Sequence, residues 1–357
     1  MKVAFDAAPL LDPPTGIGRY VRELGDALED QGVDVKRYAV SFTGVNRDRI
    51  ARWRVPAMIA QASWRRFGKP SIRRLVGDVD VLHATNFVLP PLPGVPAVVT
   101  VHDLGFFRSD VFPGGERLRD LVPWSIQRAS MVLVPSVAIQ VELTELMDVD
   151  ADRVVVTPEG VSQIFFGATP LAPGALARLG IRPPFVLAAG TLQPRKNLAR
   201  LLAAWSAVSA EFSEWTLVLA GPRGWGPNLP ETPRVVLPGW VGDETLPGLL
   251  AAADIFCYPS LYEGFGLPPL EAMAAGTSVL AGRYSAAEEV LGDAALLVDP
   301  TDVDALAQGL VHLATDDRAR VRMARAGKAR AASYSWEKAA TLTAAAYRRC
   351  VEVVPHR

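Results

Sequence analysis

The stretch FVLAAGTLQPRKNLARLLAAW, residues 185–205, joins an apolar run, a basic loop and a segment with helical periodicity. A short continuous apolar run of this kind is typical of a strand buried on both faces of a parallel sheet. Asn197 stands where a helix cap is expected, and the apolar residues after it repeat along one helix face. The stretch therefore predicts a strand, loop and helix of an open α/β fold, in which ligands bind at the carboxyl ends of the strands.

Apolar runs separated by amphipathic stretches recur along the chain and predict two parallel sheets. The runs are KVAFDA, VDVKRYAV, VDVLHAT, AVVTVHD, MVLVPS and VVVTPEG in the first half, then FVLAAGT, TLVLAG, RVVLPGW, DIFCYPS, SVLAGR and ALLVDP. A length of 357 residues fits two domains. Residues 167–184 are rich in Pro and Gly and mark a linker. We expect an N-terminal domain over 1–168, a C-terminal domain over 169–335, and a last helix over 336–357 that packs back on the first domain.

The sequence also predicts where two further helices begin and end. Thr15 is expected to cap a helix that Gly32 stops. Pro268 and Pro269 suit the first turn of another helix, which ends before Gly276. Both helices follow strands, so we expect their amino ends at the carboxyl edges of the sheets.

Composition narrows the classes of function. Lys plus Arg total 37 against 38 Asp plus Glu, which gives no support for a nucleic-acid partner. Cys257 and Cys350 are far apart and lack the neighbours of a zinc site, which favours a reduced compartment. The chain opens on a strand, without the sections of a signal peptide, and has no apolar run of about 20 residues. We therefore expect a cytoplasmic protein whose contact with a membrane would be peripheral.

A basic pair lies between the quoted strand and its helix. Arg195 and Lys196 immediately precede Asn197. Free amide groups at a helix start add to two positive side chains, so the position favours a diphosphate. A basic pair in a loop is more often only solvated, but its place after a buried strand favours the ligand site.

The second chemical element is EGFGLPPLE, residues 263–271. Gly264 and Gly266 let a ligand approach the backbone, and the helix that follows presents amide groups. Glu271, expected in the first helical turn, is placed to accept hydrogen bonds from ribose hydroxyls. Glu263 is placed to hold hydroxyls of a sugar. An acid in a first turn can also serve only to compensate the helix dipole.

These motifs resemble the retaining glycosyltransferases of family 4, which have the GT-B fold of two Rossmann-like, doubly wound parallel-sheet domains facing across a cleft. The resemblance runs in order from TGIGRY at 15–20 to YSWEKAA at 334–340. It implies that 1–168 is the acceptor-side domain and that 169–335 is the domain that binds the nucleotide sugar. It implies transfer of a hexose from a nucleotide diphosphate sugar to a glycan, lipid-linked or small-molecule acceptor, with retained configuration and without a metal or other cofactor. GTLQPRKN with SLYEGFGLPPLE looks most like the members that use GDP-mannose, while UDP- and dTDP-sugars stay open.

The resemblance also implies roles for single residues. Arg195 and Lys196 match the pair that neutralises the diphosphate, Glu263 the acid beside the transferred sugar, and Glu271 the carboxylate that holds the ribose. The remaining matches are the glycine loop of Gly16 and Gly18, His102 with Asp103 beside the sugar, backbone contacts from Phe265, Gly266 and Leu267, base contacts around Trp240 and Val241, and Gly190. Gly190 and Thr191 match residues at the donor site, where many relatives have Gly-Arg, so one possible phosphate contact is missing. No residue is assigned as a nucleophile, and His102 can alternatively be structural.

Features of the sequence also suggest three other functions. An oxidoreductase would need a phosphate loop directly after the first strand, but about ten residues intervene and Val21 takes the place of the third glycine. A metal-dependent transferase would need an Asp-x-Asp loop, whereas Asp78 and Asp80 lead into a strand. An epimerase or a non-catalytic sugar-nucleotide binder on the same plan stays open, and donor hydrolysis without transfer would favour it.

The stretch 47–74 is strongly basic. It contains Arg47, Arg49, Arg52, Arg54, Arg65, Arg66, Lys69, Arg73 and Arg74 against the single acid Asp48, with Trp53, Trp64 and Phe67 between them. Such a stretch can lie on anionic headgroups at the inner face of the membrane and present a lipid-linked acceptor. The alternative is a solvated basic helix.

Overall fold

The computed structural model describes residues 1–11, 15–45, 49–108 and 114–353. Its contacts divide the chain into two units. The first unit contains Met1–Gly160 and the segment from Ser335 onward, and the second contains Val161–Tyr334. Each unit is built around its own parallel sheet.

Each sheet is doubly wound, and the described strand pairs are all parallel. The described strands of the first unit have the order β3-β2-β1-β4-β5-β6-β7, and those of the second have the order β10-β9-β8-β11-β12-β13. The bounds are β1 Lys2–Asp6, β2 Asp34–Val40, β3 Ala51–Trp53, β4 Val81–Ala84, β5 Ala97–Thr100, β6 Met131–Val134, β7 Val154–Val156, β8 Phe185–Ala189, β9 Thr216–Ala220, β10 Val235–Gly239, β11 Ile255–Tyr258, β12 Ser278–Gly282 and β13 Leu296–Val298. The predicted α/β class is confirmed.

Helices connect the strands and cover the sheets. Their bounds are α1 Gly16–Asp30, α2 Ala57–Phe67, α3 Arg73–Val76, α4 Gly105–Arg108, α5 Gly115–Arg128, α6 Val137–Leu146, α7 Gln163–Phe166, α8 Pro173–Arg178, α9 Leu198–Val208, α10 Leu246–Ala252, α11 Leu267–Ala275, α12 Ser285–Leu291, α13 Val303–Thr315, α14 Asp317–Ala331 and α15 Trp336–Val353. In the second unit, apolar residues of α9 and α13 pack with β8, β9 and β11 in one core.

Helix α1 begins where the sequence predicts it. Thr15 Oγ1 accepts a hydrogen bond from Gly18 N at 3.1 Å, so the predicted cap is confirmed. Gly16 and Gly18 lie in the first turn of α1 and not in a loop before it. A Cβ atom at Gly18 would lie 3.2 Å from the carbonyl oxygen of Pro9, so the helix start packs closely on the preceding chain.

Two local predictions about the second unit are wrong. Asn197 stands before α9, but its backbone is left-handed (φ 57°) and its side chain does not cap the helix. Its Nδ2 instead donates to the carbonyl oxygens of Pro259, at 3.1 Å, and Pro300, at 2.6 Å. Glu271 is the fifth residue of α11, so it lies in the second turn and not the first. The predicted helix end before Gly276 is confirmed.

The chain passes from the first unit to the second at Gly160, eight residues before the boundary expected at 168. Phe165 of α7 is fully buried within the second unit, and Val161 N donates to Tyr334 O at 3.1 Å. These contacts tie residues 161–168 to the second unit. On the other side of the division, a Cβ atom at Gly160 would lie 2.2 Å from Trp336 N, so only glycine fits there.

Helix α15 packs in the first unit against α1 and against β4, β5 and β6. A buried hydrogen-bonded chain joins it to the sheet: Tyr347 Oη lies 2.6 Å from His83 Nδ1, and His83 Nε2 lies 2.7 Å from Thr100 Oγ1. Thr100 Oγ1 in turn lies 3.0 Å from Tyr20 Oη. Burial, and secondarily the neighbouring His102, lowers the pKa of His83 to about 3. The imidazole is therefore neutral and acts as a structural link.

The basic stretch 47–74 is not a single helix. Arg47 and Asp48 lie outside the described residues. Of the rest, residues 51–53 form the edge strand β3, and two separate helices, α2 and α3, follow. Gly68, with φ 62°, ends α2.

Candidate active site

The basic pair lies at the carboxyl edge of the second sheet, just after β8. Arg195 and Lys196 form a single 3-10 turn with Pro194 immediately before α9. Gly190, with φ 134°, turns the chain out of the sheet, and a Cβ atom there would lie 3.6 Å from Cε of Lys196. Arg195 O accepts from Leu261 N at 3.0 Å, which fixes the turn to the loop after β11.

Glu263 bridges both cations. Lys196 Nζ lies 2.7 Å from Glu263 Oε1, and Arg195 Nη1 forms an ion pair with Glu263 Oε2. Arg195 Nη1 also donates to Tyr262 O at 3.1 Å. Lys196 Nζ donates to the hydroxyl of Tyr258 and lies 4.4 Å from the centre of its ring. The predicted pair and the predicted acid are therefore in direct contact in one cluster.

The charges of this cluster fix its protonation. Burial by itself would raise the pKa of Glu263, but the positive charges of Arg195 and Lys196 outweigh it and hold the pKa at about 2. Burial raises the pKa of Tyr258 well above its ordinary value, so its hydroxyl stays protonated. Two cations and one carboxylate leave the cluster with a net positive charge at neutral pH.

The start of α11 lies next along the same edge of the sheet. Gly266 precedes the helix with φ 115°, a conformation that favours glycine. Leu267 is the first helical residue, and the buried ring of Phe265 packs edge-on against Tyr334 with 5.4 Å between centres. Glu271 is 3% exposed. Residues 265–267, predicted to contact the donor through their backbone, thus form the turn that begins α11.

A cavity of about 600 Å³ opens beside the basic turn within the second unit. Its lining includes Gln193, Arg200, Arg223, Trp225 and Gly239. Arg200, Arg223 and Trp225 were not predicted from the sequence; Arg200 lies three residues after GTLQPRKN, and Arg223 and Trp225 lie just after the apolar run TLVLAG.

Three residues predicted to contact the donor flank this part of the sheet. Thr191 is half-buried after β8, next to Gly190. Trp240 and Val241 follow β10 at the same edge, and the indole of Trp240 is 54% exposed. None of the three is among the described residues that line the 600 Å³ cavity.

In the first unit, His102 follows β5 and is almost fully buried. Its Nε2 donates to the carbonyl oxygen of Thr85 at 2.8 Å, because that oxygen can only accept. Its Nδ1 lies 3.4 Å from Glu159 Oε1. Asp103 accepts from Gly105 N at 2.9 Å and so starts α4. Glu159 belongs to the quoted run VVVTPEG, but the sequence analysis assigned it no role.

The described residues contain neither a metal-binding cluster nor a membrane-spanning helix. Across the described ranges, no group of three or more His, Cys, Asp or Glu residues is arranged to hold a metal ion. Among the described helices, none has the length and apolar character needed to cross a bilayer.

Family models match both units. Residues 14–163 match the model described as Glycosyltransferase Family 4, and residues 183–316 match the one described as Glycosyl transferases group 1. The chain is 32% identical to the O-antigen chain mannosyltransferase B of Escherichia coli over 98% of this chain and 100% of the relative. It is 29% identical to the phosphatidyl-myo-inositol mannosyltransferase of Mycolicibacterium smegmatis over 94% of this chain and 90% of the relative.

Solved structures share the fold. Sucrose-phosphate synthase from Thermosynechococcus elongatus matches with a TM-score of 0.80 at 22% identity, over 99% of this chain and 100% of its own. HepE from Anabaena in complex with UDP-glucose matches with a TM-score of 0.74 at 19% identity, over 97% and 98%. These are GT-B proteins, and the comparisons favour a transferase over an epimerase. Because a relative of one-third identity extends over nearly the whole chain, this protein belongs to the group 1, family 4 glycosyltransferases and is a glycosyltransferase enzyme.

Proposed function

We propose that this enzyme transfers a hexose, with mannose favoured, from a nucleotide diphosphate sugar to a glycan or lipid-linked acceptor with retained configuration. The relatives named as mannosyltransferases support the choice of mannose. GDP-mannose is the favoured donor, and UDP- or dTDP-sugars are the other options.

The cluster of Arg195, Lys196 and Glu263 carries this proposal. When the sugar leaves, negative charge develops on the diphosphate, and fixed cations at that point stabilise the transition state more than the ground state. Arg195 and Lys196 are held in place by ion pairs with Glu263 and by the turn before α9. They supply that stabilisation without a metal ion.

Glu263 is a poor nucleophile in this arrangement. Both carboxylate oxygens accept hydrogen bonds from cations, and its pKa of about 2 makes it a weak base. The proposed reaction therefore has no covalent intermediate on this carboxylate. The acceptor attacks the face from which the diphosphate departs, and a phosphate oxygen takes the proton of the acceptor hydroxyl.

We assign His102 to the transferred sugar as a positioning group. Its ring is held by Thr85 and Glu159, and by edge-on packing against Tyr20 with 4.7 Å between ring centres. Replacing His102 with alanine should lower turnover with the donor that binds. Unchanged turnover would assign the ring a purely structural role.

The first experiment is thermal-shift screening with GDP-mannose, UDP-glucose, UDP-N-acetylglucosamine and dTDP-rhamnose. A shift with one nucleotide class fixes the donor. Release of nucleoside diphosphate with oligosaccharide and lipid-linked acceptors then measures turnover. If no donor shifts the melting temperature, the proposal is wrong.

The second experiment removes each cation of the cluster separately. Arg195→Ala and Lys196→Ala should each lower kcat by about a hundredfold, or about 3 kcal/mol. Lys328→Ala, which removes an exposed cation from α14 of the same unit, is the matched control and should leave kcat unchanged. Activity of both site variants within threefold of wild type would contradict the assignment. Activity should also persist in excess EDTA, because the charge is neutralised by side chains.

We further propose a cytoplasmic protein that contacts the inner face of an anionic membrane through the basic stretch 47–74. Helix α2 exposes the apolar side chains of Met58, Ile59 and Phe67 next to Arg65 and Arg66. Apolar groups beside cations are typical of helices that lie at the headgroup level. Sedimentation with vesicles containing phosphatidylglycerol should exceed that with pure phosphatidylcholine vesicles, and equal partitioning would refute the contact.

A further inference from the structure

The imidazole ring of His102 lies between two oxygen atoms of the first unit, one on each of its nitrogens. Nε2 lies 2.8 Å from the carbonyl oxygen of Thr85, and Nδ1 lies 3.4 Å from Oε1 of Glu159. A carbonyl oxygen has no hydrogen to donate, so Nε2 carries a proton. An ionised carboxylate also only accepts, so the state of Nδ1 depends on Glu159.

Burial of the pair decides the state of Nδ1. The side chains of His102 and Glu159 are 7% and 9% exposed. If Nδ1 had no proton and the carboxyl group were ionised, a nitrogen lone pair and a negative oxygen would face each other with little water to separate them, which is unfavourable. One proton between the two atoms removes this conflict. Imidazole is a stronger base than a carboxylate, so the proton belongs on Nδ1 and the ring is an imidazolium ion.

His83 provides a contrast within the same sheet. Its Nδ1 and Nε2 face the hydroxyl groups of Tyr347 and Thr100, at 2.6 and 2.7 Å. A hydroxyl group can donate or accept, so a neutral ring satisfies both contacts. Burial first, and then the positive charge of His102, lower the pKa of His83 to about 3. The partners of the two histidines therefore favour opposite charge states.

Both partners of His102 are held by the backbone around them. Thr85 follows β4, and its hydroxyl donates to the last carbonyl oxygen of β1 at 2.8 Å. Glu159 follows β7 and precedes Gly160, where a Cβ atom would lie 2.2 Å from Trp336 N. Close packing at this glycine fixes the loop that carries the carboxylate. The carboxylate is therefore held next to the ring before any ligand binds.

The other described neighbours of the His102 ring are aromatic or already bonded. Tyr20 and Phe87 pack against it nearly at right angles, with 4.7 and 5.8 Å between ring centres. The hydroxyl of Tyr20 is bonded to β5, and burial raises the pKa of this tyrosine, so it stays neutral. Asp103, the next residue in the chain, accepts from the backbone at the start of α4. The described ion pair of the ring is the one with the carboxylate after β7.

We propose that Glu159 is a positioning residue that keeps His102 doubly protonated, so that the ring takes part in the proposed transfer as a fixed cation. This role rests on the proposed glycosyl transfer and adds one residue to it. Both ring nitrogens are occupied, so the ring has no lone pair with which to take the proton of an acceptor hydroxyl. Its positive charge instead stabilises the negative charge that develops when the diphosphate leaves the sugar.

The charge of the ring is measured by 15N NMR on the full chain with labelled histidine, which leaves only four residues to assign. From pH 6 to pH 8, both ring nitrogens of His102 should carry a proton, whereas His83 should stay neutral. Glu159→Gln keeps the shape of the side chain and can donate a hydrogen bond to Nδ1, so in this variant Nδ1 should be unprotonated at pH 8. Loss of the signals in His102→Asn assigns them. An unprotonated Nδ1 in the wild-type protein would overturn the proposal.

The pH profile of kcat, measured with the donor found by the melting-temperature screen, separates this role from a structural one. An unassisted histidine loses its second proton near about pH 6.5. The ratio of Glu159→Gln to wild-type kcat should therefore fall at least about tenfold from pH 5.5 to pH 8.5. Glu159→Asp keeps the negative charge and should show a smaller fall. Glu145→Gln, which removes an exposed carboxylate from α6 of the same unit, is the matched control, and its ratio should be constant.

A kcat ratio of Glu159→Gln that is equally low at every pH would assign the carboxylate a structural role and overturn the proposal. The role of Glu159 and the proposed transfer can fail separately. If a donor binds and the kcat ratio does not depend on pH, the role of Glu159 fails and the transfer stands. If no donor shifts the melting temperature, the proposed transfer itself fails, whatever charge the ring carries.

Discussion

Replacing Glu263 with glutamine removes one negative charge from between Arg195 and Lys196 and changes the shape of the side chain very little. The carboxylate is 10% exposed, and the two cations are 20% and 12% exposed. The variant therefore leaves two largely buried positive charges side by side. Its stability and its affinity for nucleotides should change in opposite directions.

The stability change follows from the pKa of Glu263, which is about 2 in the folded protein against an ordinary 4.5. This difference corresponds to about 3 kcal/mol. Because the folded value is the lower one, the contribution is fully present above a pH of about 4.5 and is lost as the pH falls toward about 2. We expect Glu263→Gln to lose about 3 kcal/mol of unfolding free energy at neutral pH, and the deficit to shrink in acid.

The affinity change follows from the position of the carboxylate, which lies 2.7 Å from Lys196 Nζ. A phosphate oxygen bound to the same ammonium group at about 2.8 Å would lie up to about 5.5 Å from the carboxylate. Two like charges at that separation repel by about 3 kcal/mol at an effective dielectric constant of about 20. With screening by salt and solvent reducing this by about half, GDP should bind about tenfold more tightly to the variant.

Denaturant unfolding between pH 3 and pH 7 and calorimetric titration with GDP and GDP-mannose measure these quantities. Glu288→Gln is the matched control: Glu288 pairs with Arg283 at 3.0 Å, but both side chains are about half exposed. It should change stability by less than about 1 kcal/mol. Weaker GDP binding to Glu263→Gln, or unchanged stability, would refute the reasoning. Loss of affinity for GDP-mannose alone would show that the carboxylate contacts the sugar.

Two predictions concern the first unit. Gly160→Ala places a Cβ atom 2.2 Å from Trp336 N and should lower the free energy of unfolding, measured with denaturant, by about 3 kcal/mol. Gly174→Ala is the control and should leave stability nearly unchanged, because its Cβ atom would have no other atom within 4 Å. Equal stabilities of the two variants would contradict this prediction. Tyr347→Phe leaves Nδ1 of the buried His83 without its partner and should lower the free energy of unfolding by about 2 kcal/mol. A change below about 0.5 kcal/mol would show that the link between α15 and the sheet is dispensable.

Most of the strands could be predicted from the sequence because they are continuous apolar runs, including the edge strands β10 and β13, which have no buried residue. Each of the twelve quoted runs contains a strand. Strand β3 was not predicted because its three residues, Ala51–Trp53, include an arginine and do not form an apolar run. A short strand without an apolar run carries no hydrophobic signal that distinguishes it from a loop.

The local errors have a common physical cause. Asn197 was expected to cap α9 because asparagine favours that position. Its side chain instead satisfies the carbonyl oxygens of Pro259 and Pro300, which lie 62 and 103 residues away in the chain. The buried pairing of His83 with Tyr347 spans 264 residues. Tertiary contacts of this range override local preference, and a single sequence does not reveal them.

The contacts within the ion cluster could likewise be predicted only in part from the sequence. The pattern of strand, basic pair and helix identified Arg195 and Lys196, since all three parts are local. That Glu263 bridges them depends on β11 pairing with β8, which brings together residues 67 and 68 positions apart. The sequence placed Glu263 beside the sugar, whereas its contacts in the structure are with the cations.

Those contacts explain how two cations are kept side by side before a ligand arrives. Without Glu263 the two cations would repel each other, which destabilises the free protein and is relieved when a diphosphate binds. With Glu263, folding energy holds both cations in position before the ligand arrives. The carboxylate repels the diphosphate in the ground state and in the transition state, but it also keeps the cations positioned for the charge that develops as the sugar leaves, and these two effects on the transition state offset each other. Removing it should therefore tighten binding of the nucleotide and yet give no gain in kcat.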